Sequence, residues 1–307
     1  MMSIAGEGCE ILVPFSERKS LRDIERSITT TYKRDIWGKF IKGITEYQLI
    51  QDGDKIAVAI SGGKDSLILA KLFQELQKHP QQKFEVEFIA MDPGYHPEIR
   101  KLLEENCAYL NIPVKIYDSG IFTVIDKIAQ DYPCYMCAKM RRGSLYQFAQ
   151  DLGCNKLALG HHFNDVIETS MLNILYAGSF KTMLPKLKSD NFENMEIIRP
   201  LYLVEEDHIK NWIQNAGIWP LNCACMVAAK KIGNKRYEIR EMIKELKKKN
   251  KDVDKCIFRA QENIHMDGVL GWVDGTGKHS YLDFYDAETL AVTPEGQAAA
   301  TDQPEEE

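Results

Sequence analysis

No stretch of about 18 consecutive apolar residues occurs in the 307-residue chain, so a membrane-spanning helix is not expected. The opening residues MMSIAGEGCEILVPFSERKS lack the basic-then-apolar order of a signal peptide, and the protein is expected in the cytoplasm, away from membranes. An excess of positive charge is also absent. The net charge of −6 argues against a general affinity for nucleic acid, although the acidic end QPEEE contributes to it and local basic stretches are the better guide. There is no internal repeat, no Walker A loop and no G-x-G-x-x-G. There is also no second C-x-x-C, which removes the commonest layout of a structural zinc site.

What is present is a rhythm. KIAVAIS reads as a buried strand and DSLILAKLFQELQ as a helix; FEVEFIAMD, PEIRKLLEENCAYLN, VKIYDS, CAKMRRGSLYQFAQDLG, KLALGH and DVIETSMLNILYAG continue the alternation. Strands alternating with helices of this length predict an α/β fold, a parallel doubly wound sheet covered on both faces. An N-terminal helix over Asp35–Ile50 precedes it. NMEIIRPL reads as a short strand and EEDHIKNWIQNAG as a helix, the basic helix YEIREMIKELKKKNK follows as a C-terminal extension, and from about residue 273 periodicity is lost, which predicts an acidic tail without regular structure.

The turn Ser61-Gly62-Gly63-Lys64-Asp65-Ser66 lies between a predicted strand and a predicted helix, at the sheet edge where such folds bind ligands. The two glycines let backbone N–H groups approach a ligand, the helix start adds partial positive charge, and the serines and lysine add donors, so the expected ligand is a phosphate. The pattern S-G-G-x-D-S is that of the pyrophosphate loop of enzymes that cleave ATP between its α- and β-phosphates. Ala59 leads into it, with Ala90 and Met91 expected beside the adenine. A second strand-to-helix junction, LALGHHFNDVIET, offers Gly160 for the α-phosphate, His161 and His162 as polar groups, and Asp165, which with Asp65 is a candidate ligand for Mg2+.

Eight cysteines are present. Cys107 and Cys154 fall in apolar patterns and read as buried hydrophobes, while Cys9 and Cys256 have no nearby partner. Cys134 and Cys137 form C-x-x-C just before a predicted helix, and Cys223 and Cys225 form C-x-C. On cysteine count zinc and an iron–sulfur cluster rank level. Lys139, Arg141 and Arg142, then Lys181, Lys186 and Lys188, then KKIGNKR and KELKKKNK, suggest a basic rim suited to an RNA backbone.

The S-G-G-K-D-S loop, CYMCAKMRRGSLY, LGHHFNDVIET, LNILYAGSFKTMLPKLKSD and IIRPL occur in an order that resembles the tRNA 2-thiocytidine biosynthesis family, a branch of the PP-loop ATPases, over roughly residues 30–270. The resemblance implies an adenine nucleotide α-hydrolase-like fold, ATP with Mg2+, a 4Fe–4S cluster held by three cysteines, and thiolation at C2 of a pyrimidine in tRNA, cytidine first. Metal ligands would be Cys134, Cys137 and Cys225, with Asp65 for Mg2+. Asp65, Cys225 and Cys223 would be catalytic, and Cys223 would be a nearby thiol. The family's third cysteine lies in C-x-x-C-G, whereas here it is NCAC, which leaves Cys223 and Cys225 as alternatives. The expected layout is an N-terminal helical segment at 1–52, an ATPase and thiolation domain at 53–228, a basic helical extension at 229–272 and a tail at 273–307. The expected partners are tRNA and a sulfur donor, either sulfide or a cysteine desulfurase persulfide, with a homodimer also admitted. A 2-thiouridine synthetase, a lysidine-synthetase-like ligase and a non-catalytic iron–sulfur RNA-binding or redox sensor protein are the alternatives.

Overall fold

Two helical segments precede the first strand in the computed structural model, which describes residues 12–80, 82–119, 133–221 and 235–285. Helix α1 (Leu21–Thr29) starts where the Ser20 hydroxyl accepts the Asp23 N–H, and it buries Ile24 and Ile28. A π-helical turn, Lys33–Trp37, runs directly into α2 (Gly38–Glu46). The single helix expected through Ile50 stops four residues earlier, because Gln48 turns to φ +49°. That turn lets the Leu49 N–H return to the Ile44 carbonyl, and Leu49 and Ile50 are buried.

The expected alternation then follows: β1 (Lys55–Ala59), α3 (Lys64–Lys78), β2 (Glu85–Asp92), α4 (Pro97–Tyr109), β3 (Val114–Asp118), α5 (Pro133–Asp151), β4 (Lys156–Ala158), α6 (Phe163–Ala177), β5 (Lys186–Lys188), β6 (Glu196–Ile198) and α7 (Glu206–Asn215). The sheet order is β3-β2-β1-β4-β6-β5. All neighbours are parallel except β5, which pairs antiparallel with β6. The sequence pattern misses β5: three residues, Lys-Leu-Lys, at a sheet edge show no apolar run.

Ile56, Ala57 and Val58 of β1 are fully buried, as are Leu67 to Ala70, Leu72 and Phe73 of α3. Each such large side chain contributes roughly 1.5–3 kcal/mol. Burial on both faces explains why the central strands read as continuous apolar runs. Cys107 and Cys154 are buried as expected, and burial pushes their thiols up to about 12 and about 11.

After α7 come α8 (Lys235–Lys249) and α9 (Val253–Ala260). Glu168 of α6, its side chain 3% exposed, accepts Arg240 Nε at 2.8 Å and Arg236 Nη1 at 3.2 Å, which fastens α8 onto α6. A second compact unit begins at Arg259. It contains the antiparallel hairpin β7 (Gly271–Asp274) and β8 (Gly277–Ser280), followed by the short helix α10 (Leu282–Tyr285). The loss of regular structure expected from residue 273 is therefore corrected for this hairpin and helix. Both faces of the hairpin are largely exposed, with Val273 at 76%, so it shows no alternation of apolar and polar residues.

Candidate active site

Strands β1 and β4 are adjacent, and the strand order reverses between them, so the loops at their carboxyl ends flank the crevice where doubly wound sheets take ligands. The loop after β1 leaves the sheet past Ile60, whose N–H is bonded to the Ile89 carbonyl at 2.7 Å. Gly62 then turns with φ +79°, and α3 begins at Lys64. Gly63, the N-cap, has no side chain to cap the helix, and uncapped first-turn N–H groups are the donors with which a helix start takes an anion. Within the loop Ser66 Oγ donates to the Gly63 carbonyl at 2.9 Å, and Ser61 Oγ lies 3.2 Å from Ser66 Oγ.

The loop after β4 touches the first one. A Cβ at Gly160 would stand 3.2 Å from the Asp65 carbonyl carbon and 3.3 Å from the Ser66 nitrogen. His162 caps α6 with a reciprocal pair: its Nδ1 accepts the Asp165 N–H and its own N–H donates to Asp165 Oδ2 at 3.1 Å. The ring's Nε2 lies 3.8 Å from Asp65 Oδ1 and 3.9 Å from Glu206 Oε1.

Lys64 Nζ lies between two carboxylates, Asp65 Oδ2 at 2.9 Å and Glu206 Oε1 at 3.0 Å. Burial works against its charge, but the two acids outweigh burial and raise its pKa. Burial would likewise push Glu206 up, yet Lys64, His162, Arg240 and Lys210 hold it at about 2. Glu206 is a site residue that sequence reading passes over as an ordinary helix-start acid. Asp165 is held below its usual range despite burial, by His162, His161 and Arg236. Burial lowers His161 to about 4, so it is neutral at pH 7, and its Nδ1 is buried without a partner.

Asp65 Oδ1 is also buried without a hydrogen-bond partner. That orphaned oxygen fits one bond to a hard cation. Mg2+ commonly takes one or two carboxylates and completes its shell with phosphate oxygens and water. Among the described residues no group of three His, Cys, Asp or Glu side chains is gathered to hold a metal without such help.

Ala59 ends β1, while Ala90 and Met91 are buried on the neighbouring strand β2. Cys134 and Cys137 fall inside α5 rather than before it. Cys223 and Cys225 lie outside the described residues. The chain approaches them from Leu221, whose N–H donates to the Gly62 carbonyl at 2.9 Å. The basic stretches divide. Lys181, Lys186 and Lys188 lie on and beside the edge strand β5. On α8, Arg236, Arg240, Lys244, Lys247 and Lys248 are paired with acids.

The PP-loop domain family matches residues 30–220. A tRNA-cytidine(32) 2-sulfurtransferase from Geotalea daltonii is 36% identical over 76% of this chain and 92% of its own length. Another, from Bdellovibrio bacteriovorus, is 32% identical over 80% of this chain and 93% of its own. Among solved structures, the U34-tRNA thiolase NcsA from Methanococcus maripaludis with its 4Fe-4S cluster shares the fold. Its TM-score is 0.55 and its identity 23%, over 74% of this chain and 79% of that one.

Proposed function

The chain belongs to the PP-loop domain family, among relatives named tRNA-cytidine(32) 2-sulfurtransferase, and on that premise we propose that it is an ATP-dependent tRNA sulfurtransferase. Its reaction replaces the C2 oxygen of a tRNA cytidine by sulfur. The C2 oxygen attacks the α-phosphorus and pyrophosphate leaves; a sulfide-level sulfur then adds at C2, and the C2–O bond breaks to release AMP with that oxygen.

The observation that carries this reading is the contact between the two loops at the switch point, Gly160 against Asp65–Ser66. It supports a nucleotide lying across both, with pyrophosphate on the uncapped start of α3 and the α-phosphate beside Gly160. Lys64 supplies a charge that can turn from Asp65 to the phosphates while Glu206 keeps it in place. Freed of Lys64, Asp65 would take the Mg2+, with Asp165 as second carboxylate. His162 Nε2 stands beside both acids.

A 4Fe–4S cluster would be held by Cys134, Cys137 and Cys225, with Cys223 beside them, and would supply an iron position at which sulfur can be carried. The sulfur donor is sulfide, or a cysteine desulfurase persulfide whose outer sulfur is released at the sulfide level by an external thiol that leaves as the disulfide, and the place of action is the cytoplasm. Mass analysis of tRNA nucleosides after anaerobic reaction with ATP tests the reading. Wild type should form 2-thiocytidine and AMP together, Asp65→Asn should form neither, and the Asp65 variant should keep the visible absorption of the cluster. Thionucleoside formation by Asp65→Asn at the wild-type rate would refute it.

A further inference from the structure

Arg199 is a buried cation with an unused donor. It follows β6 directly and is 7% exposed. Its N–H bonds the Pro185 carbonyl at 2.9 Å, and Nη1 donates to the Leu184 carbonyl. Its Nε is buried without a partner. Burying a guanidinium with donors unmet is costly, and such groups ordinarily face a carboxylate or phosphate. Here burial, and next the cation of Arg142, push Arg199 below the ordinary arginine range.

The placement of Arg142 has a backbone reason. It stands one helical turn before Tyr146, whose ring stacks on Phe192 at 4.8 Å in the cluster that includes Ile197 of β6. Arg142 is exposed where Arg199 is buried. Both cations bear on His161, at the end of β4, where the Leu159 N–H bonds the Ile198 carbonyl at 3.0 Å. Arg142 and Arg199 are thus like charges that both act on His161, the residue after Gly160. An anion between them would satisfy the free Nε and relieve their repulsion.

We propose that Arg199 and Arg142 form a phosphate subsite that receives a backbone phosphodiester of the RNA substrate. RNA is favoured over the nucleotide by what Arg199 holds. The carbonyls it binds, Leu184 and Pro185, belong to a segment that leads back to Phe180 and Lys181 and forward into β5. Phe180, Leu184 and Leu187 are about half exposed, at 51%, 51% and 49%, and Lys186 and Lys188 share one face of the strand. An exposed ring beside lysines, on a segment bonded to Arg199, is the combination that takes unpaired bases and their phosphates. The nucleotide already has a phosphate cradle on the β1 side. This inference rests on the tRNA reading above.

The test compares Arg199→Gln, Arg199→Lys and Arg142→Gln with wild type, by tRNA filter binding across a potassium chloride series and by ATP binding. Expected for Arg199→Gln is tRNA binding weakened at least tenfold, with a log–log salt slope shallower by about 0.7 for one lost single-strand contact, and unchanged ATP affinity. Arg199→Lys should fall between, because it keeps the charge without the fork. Arg142→Gln, at an exposed position that does not endanger folding, should lower the slope similarly. Weakened ATP binding with intact tRNA binding would assign the subsite to the nucleotide and overturn the proposal. Unchanged tRNA affinity and slope in Arg142→Gln and in folded Arg199→Gln would make the pair structural and overturn it alone. A wild-type protein that does not bind tRNA would overturn the functional reading and the subsite with it.

Discussion

The backbone N–H of Leu221 donates to the carbonyl of Gly62 at 2.9 Å, and the Leu221 side chain occupies the space where a Cβ on Gly62 would point, 2.5 Å from its Cδ1. The phosphate loop is thereby joined to the residue two positions before Cys223. Trp219, in the same strap, gives its carbonyl to Asn106 Nδ2 at 2.8 Å, and Asn106 is itself buried. The Ser61–Ser66 loop and the chain leading towards Cys223 share an attachment point.

Gly62→Ala should therefore damage the loop twice. A non-glycine residue at φ +79° costs about 1–2 kcal/mol, and the added methyl collides with Leu221 and with Leu103 at 2.9 Å. AMP formation should drop at least tenfold. Leu221→Ala in the same chain should restore part of it by clearing space, leaving the backbone strain. Single-turnover AMP release, compared between the two variants, measures this.

Gly160→Ala should act more mildly. Its Cβ would meet the backbone of Asp65 and Ser66 at 3.2–3.3 Å, so the two loops must separate by a few tenths of an ångström. We expect the apparent Kd for ATP to rise about tenfold, roughly 1.4 kcal/mol, with little change in thermal stability. Titration with ATP alongside a melting curve checks both halves.

Acid stability should show two windows. His161 is lowered from 6.5 to about 4, so the unfolded chain binds this proton first and the stability contribution disappears as pH falls from about 6.5 to 4. Glu206 is lowered from 4.5 to about 2, so its contribution is full above about 4.5 and is lost as pH falls towards 2, on the order of 3 kcal/mol. In urea unfolding followed against pH, His161→Asn should flatten the upper window and Glu206→Gln the lower. A slope unaltered by either variant would dissociate these groups from the acid response.

Arg240→Ala should leave Glu168, 3% exposed, paired with Arg236 alone of these two arginines. Breaking a buried pair from one side costs about 3–5 kcal/mol. The double variant Arg240→Leu with Glu168→Leu should lose much less than the sum of the two single changes. Chemical denaturation of the four proteins in a double-mutant cycle gives the coupling directly.

The α/β alternation and the two glycine-bearing strand-to-helix turns, at Ser61–Ser66 and Gly160–Asp165, were legible in the sequence. Each rests on a local rule: buried central strands are apolar throughout, and a ligand-bearing strand-to-helix turn needs glycine with polar neighbours. The burial of Cys107 and Cys154 followed from the same patterns. The edge strand β5 and the hairpin at 271–280 were not legible, because short exposed strands need no apolar alternation. Nor was the role of Glu206, 142 residues after Lys64 in the chain, since an acid in a first helical turn looks the same whether it faces water or a buried lysine. The same limit applies to charge: α8 and the segment around β5 read alike as basic, and only packing decided that α8 pairs its cations with acids while Arg199, seven residues before Glu206, was buried with an open donor. Sequence reports local pattern and residue chemistry; which distant charges neutralise one another, and which remain for a ligand, depends on chain segments that meet only after folding.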